Sequence, residues 1–126
     1  MNKEVQDKLN QIMIEDYIWI IYLGIIFMSY YANSLEKNFY LKKDLENKKK
    51  YREIMITIFT ILLLVYLYFF YSSYQDLKNL KESDSDKKKR LTILSFIASL
   101  LLVIAGIIFL YIAIKDDELY IELAFN

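Results

Sequence analysis

Cysteine, histidine and proline are missing from this chain of 126 residues, and glycine occurs only twice. Without thiols or imidazoles there are no disulfides, no zinc sites built on thiolate or imidazole ligands, and no catalysis through cysteine or histidine. Without proline, and with so little glycine, few positions interrupt a helix. A surplus of charge is missing too: 16 lysines and arginines stand against 16 aspartates and glutamates. A chain with no basic excess carries no electrostatic footprint for nucleic acid. What remains is rich in Ile, Lys, Tyr and Asn, a helix-compatible usage that an AT-rich coding sequence also produces.

The next absence is local. No Asp, Glu, Lys or Arg occurs in residues 17–35, 54–75 or 91–114. A hydrocarbon core of about 30 Å takes roughly 20 helical residues to cross, and all three runs reach. A soluble bundle would need polar positions recurring along one face of each helix. Residues 61–65 and 67–70 cover every side of the second run with apolar or aromatic groups, so no such face exists. The expected fold is all-α: an integral membrane protein of three transmembrane helices, with helical extensions into polar loops, forming one domain over 1–126. Tyr17, Trp19 and Tyr22 near one end of the first run and Tyr30 and Tyr31 near the other fit the headgroup boundaries, as do Tyr66, Tyr68, Tyr71 and Tyr74 in the second and Tyr111 in the third.

Residues 1–16 are polar, and the first apolar run is longer than a signal-peptide core and lacks a small-residue cleavage pattern, so it is expected to stay in the mature chain. Residues 36–53 hold no Gly or Pro and should prolong the flanking helices with a short break. In the second loop, 76–90, the turn is expected at 83–86, where short polar side chains compete with helical backbone. Asp84 and Asp86 lack the ligand number and turn glycine of a calcium loop and are read as a solvated turn.

Basic clusters precede the second and third runs: Lys48, Lys49, Lys50 and Arg52, then Lys87, Lys88, Lys89 and Arg90. Both clusters would be cytoplasmic by the positive-inside rule, yet a single crossing between them puts them on opposite faces. The whole count ties. Lys3, Lys8, Lys78, Lys81 and the second cluster make one half of the 16 basic residues; Lys37, Lys42, Lys43, the first cluster and Lys115 make the other. The local flanks of the first two runs favour the first loop inside, and those of the third oppose it. Because the first helix usually dominates insertion, N-terminus out and C-terminus in is the preferred orientation, in a bacterial plasma membrane. Dual topology with antiparallel pairing, partner-dictated topology, and simple solvation of surplus loop lysines all fit the tie.

Ionisable groups within a span are the usual mark of transport or catalysis in a membrane, and none is present. No enzyme activity, cofactor, metal or small-molecule substrate is expected. The third run instead carries a small-residue face, Ser95, Ser99, Leu102, Gly106 and Ala113, bordered by Ala98 and Ala105, of the kind on which helices pack in lipid. Both glycines lie in GIIF tetrapeptides, 24–27 and 106–109, at depths of about 10 Å and 22 Å from their run starts. That mismatch reads as coincidence in an Ile-rich chain. After the third run, the acidic residues 116–118 lead into an apolar tail with Leu119, Tyr120, Ile121, Leu123 and Phe125 as candidate docking residues. It is too short to span, and its acids make anionic lipid a poor surface.

The plan of a small three-span chain with charged loops and no intramembrane ionisable group is similar to that of class I phage holins, from whose usually basic tail the acidic one here departs. The function expected is that of a small non-enzymatic membrane protein, an accessory or assembly subunit acting through helix packing and its tail. The alternative is a holin-like pore-former. The expected partners are the bilayer and another protein or a second copy.

Overall fold

A computed structural model describes residues 2–121. The described chain is all-helical, in the order α1 (Lys3–Lys42), α2 (Leu45–Lys78) and α3 (Asp86–Lys115). Each helix is long and apolar enough to cross a membrane. At about 1.5 Å per residue even α3, the shortest at 30 residues, is about 45 Å long, more than a hydrocarbon core requires. The helices therefore run past their apolar segments into the polar flanks. The chain divides into two compact units, Met1–Ile54 and Met55–Asn126.

In the first unit, α1 opens on Asn2, whose side chain accepts from the Glu4 N–H at 2.8 Å and so satisfies one of the free donors of the first turn. It closes at Lys43, in the left-handed region at φ 52°, ψ 38°, whose N–H returns to the Phe39 carbonyl at 2.6 Å. This is the usual left-handed termination of a helix, made here by a residue with a Cβ where glycine is common. Asp44 then starts α2, accepting from the Glu46 N–H at 3.0 Å and the Asn47 amide at 3.3 Å. The break between α1 and α2 is thus two residues long, and both of its sides are hydrogen-bonded. Ile18, Ile25, Ala32 and Leu35 are the buried residues of α1.

In the second unit the connection between α2 and α3 occupies residues 79–85. It begins earlier than the turn expected at 83–86, and α3 already starts at Asp86. Asp84 ties the connection together, accepting from the Lys81 N–H at 2.8 Å and the Lys88 ammonium at 3.2 Å. The Lys81 N–H holds the Asp84 carboxyl below its ordinary range; desolvation opposes it, and the Lys88 ammonium adds to the lowering. Ser85 caps α3 by accepting from the Lys88 N–H at 3.1 Å. The short polar side chains that mark this stretch in the sequence serve as hydrogen-bond acceptors for backbone that the helices leave unpaired.

Candidate functional site

Within the second unit, α2 and α3 meet along a seam built from small and aromatic residues. At its centre lies Gly106. A Cβ there would come within 3.1 Å of Tyr66 Cδ2 and 3.2 Å of Leu63 Cδ1, so the hydrogen is what lets α2 lie this close. One turn toward the end of α3, Phe109 stacks on Phe59 with ring centroids 5.6 Å apart and planes at 28°. Toward its start, Phe96 packs against Phe70 at 5.2 Å and against Tyr74 at 6.4 Å. Such offset ring pairs add about 0.5–1.5 kcal/mol each beyond area burial.

The small-residue face read from the sequence divides as follows. Ser99, Gly106 and Ala113 are buried, and Val103 stands with them at 8 % exposure. Leu102 is 42 % exposed. The buried residues recur at 99, 103, 106 and 113, so the stripe passes through Val103 and leaves Leu102 outside it. Ser95 is exposed, yet its Oγ lies 3.4 Å from that of Ser73 on α2. This hydroxyl pair could not be found from sequence periodicity, because it joins residues on two helices.

Two further hydroxyls in the apolar stretches, those of Thr60 and Ser99, bond to their own helices. Thr60 Oγ1 donates to the Ile56 carbonyl at 2.7 Å and Ser99 Oγ to the Phe96 carbonyl at 2.8 Å. Where water is scarce this removes most of the cost of a buried hydroxyl.

The basic clusters have different surroundings. Lys48 lies over the Phe39 ring, its Nζ 5.5 Å from the centroid, and Lys50 pairs with Glu46 at 3.5 Å one turn back. Lys49 is exposed and Arg52 half-buried. In the second cluster Lys88 is held by Asp84, and Lys89 Nζ donates to the Glu82 carbonyl at 3.0 Å. Lys87 and Arg90 are exposed. Lys87 and Lys88 line a shallow open depression of about 410 Å³ together with Asp76, Ser85, Leu91, Thr92 and Ser95. Asp76 opposes the lysines there, so the depression is not a plain anion site.

The tail leaves α3 through Asp116, whose carboxylate accepts from the Tyr120 and Ile121 N–H groups at 3.0 and 2.9 Å. Leu119 takes the left-handed conformation at φ 57° to make this turn. Tyr120 is 81 % exposed and Ile121 is exposed as well, while Leu119 is half-buried. Leu123 and Phe125 lie outside the described residues. Among the described residues, no group of three or more Asp or Glu gathers to hold a metal ion. In comparison with known proteins, the chain matches no protein-family model, no curated protein and no solved structure.

Proposed function

We propose that this chain is a small, non-enzymatic, multi-pass membrane protein of a bacterial plasma membrane, an accessory or assembly subunit that acts through helix packing and through its C-terminal tail. The observation that carries the reading is where its large apolar side chains point. On α3, Leu100, Leu101 and Leu102 are all exposed although successive residues are 100° apart, and Ile104, Ile107, Ile108 and Tyr111 continue the exposure along the helix. On α1, Trp19, Leu23, Ile26 and Tyr30 are exposed as well. Soluble proteins seldom leave contiguous apolar patches beyond a few hundred Å². Lipid is the solvent that suits such surfaces.

The flanks of α1 and α2 favour the N-terminus outside and the C-terminus inside; those of α3 favour the reverse, so the preference is slight. The tail supports a role in assembly. Its turn is fixed by Asp116, and it presents Tyr120 and Ile121 outward, as a docking segment would.

Purification of the full chain in mild detergent, followed by native mass measurement, tests the proposal. A stoichiometric partner is expected, and truncation after Glu118 is expected to release it while membrane insertion continues. A partner set unchanged by the truncation would contradict a docking tail, and a large homo-oligomer unaffected by it would favour the pore-former instead.

A further inference from the structure

The two GIIF tetrapeptides meet different surroundings. In α3, Gly106 admits Leu63 and Tyr66 of α2, and Phe109 stacks on Phe59. In α1 the same residues face open space: a Cβ on Gly24 would meet nothing within 4 Å, and Phe27 is exposed. Gly24 is the midpoint of a seam made by Tyr17, Ile20, Gly24, Phe27 and Tyr31, all exposed and spaced three, four, three and four. That spacing keeps five residues on one helix face, with the residue that permits the closest backbone approach in the middle. The α3 tetrapeptide demonstrates what such a face accepts: another helix.

We propose that the occupant is a second copy of this chain, inserted in the opposite direction, with the two α1 helices packed antiparallel about Gly24. The charges at the ends of α1 favour that arrangement over a parallel one. On the N-terminal flank Glu4, Asp7, Glu15 and Asp16 outnumber Lys3 and Lys8, and on the C-terminal flank Lys37, Lys42 and Lys43 outnumber Glu36. An antiparallel pair sets the acidic end of each helix beside the basic end of the other, whereas a parallel pair sets like beside like. With Gly24 opposite Gly24, Tyr17 falls opposite Tyr31 and Ile20 beside Phe27, so the seam is self-complementary, as a two-fold interface must be. The tie in basic residues supplies the second orientation, because equal totals give neither direction of insertion an overall advantage. The slight flank preference then biases the two populations without removing either. This inference rests on the membrane reading above and replaces its single orientation with two.

The absence of cysteine makes the test clean. Differently tagged chains carrying Tyr17→Cys and Tyr31→Cys are co-expressed and oxidised in native membranes. Crosslinks between positions 17 and 31 are expected to exceed those joining 17 to 17 or 31 to 31. Adding Gly24→Leu to both chains is expected to abolish the crosslink without lowering the thermal midpoint of the monomer in detergent, since a Cβ at this position meets open space within the chain; Gly24→Ala should retain it. An impermeant thiol label on Lys49→Cys in sealed cells is expected to reach one fraction of the molecules and miss the other. A dominant 17-to-17 crosslink, or complete labelling or protection at Lys49→Cys, would overturn the pairing. A chain washed from membranes by alkaline carbonate would overturn the membrane reading itself. A chain retained through that wash but lacking the 17-to-31 crosslink would overturn the pairing alone.

Discussion

Lys43 and Asp84 are single residues on which the two connections depend. Lys43 occupies left-handed backbone at φ 52°, where a Cβ crowds the following carbonyl. Its side chain is exposed, so the conformation and not the lysine is what the turn needs. Lys43→Gly should therefore stabilise the chain by about 0.5–1 kcal/mol, read as a higher thermal midpoint in detergent. Asp84 gives a pH dependence of known sign. Its folded-state pKa is depressed below the ordinary 3.8 by the Lys81 N–H first and the Lys88 ammonium second. The stabilisation it contributes is complete above the ordinary value and is lost as pH falls through the lower folded value. The Lys81 amide resonance should accordingly titrate with a midpoint below 3.8, and Asp84→Asn should flatten that titration. A midpoint at or above the ordinary value would contradict the hydrogen bond.

At the scale of elements, the helices were legible because their signals are redundant. Three uncharged runs, each long enough to span, predict three helices, and the scarcity of Gly and Pro predicts that they continue into the polar flanks, as they do from Lys3 to Lys42 and from Leu45 to Lys78. The finer register was less legible. Leu102 falls at a plausible spacing from Ser99 and Gly106, but Val103 takes the buried place. In a helix apolar on all sides, hydrophobicity no longer marks the inner face, and only size does. The turn after α2 begins at residue 79, where the Leu80 N–H bonds the Leu77 carbonyl at 3.3 Å, and the short polar residues that mark it serve its far side, Asp84 accepting from the Lys81 N–H. The α2–α3 seam carries a direct test. Gly106→Leu must displace Tyr66 and Leu63 and should cost about 1–3 kcal/mol of thermal stability in detergent. Leu101→Ala trims a side chain that is 60 % exposed and should change stability by less than about 0.5 kcal/mol. Equal effects would mean that the close approach at Gly106 does not hold the pair together.

For the whole molecule, the central claim is that three helices each cross a bilayer once. Orientation was not legible in the sequence because the basic residues divide evenly, and any measurement that assumes one orientation confuses topology with direction. A double variant, Lys49→Cys with Lys88→Cys, avoids this by asking about both loops of the same molecule. Both positions are exposed, and no native cysteine competes. Sealed vesicles are treated with an impermeant maleimide, and the labels on each intact chain are counted by mass. If α2 crosses once, every molecule takes one label in sealed vesicles, whichever way it was inserted, and two after permeabilisation. Molecules carrying two labels or none while the vesicles remain sealed would place both loops on one face and contradict the three-span account.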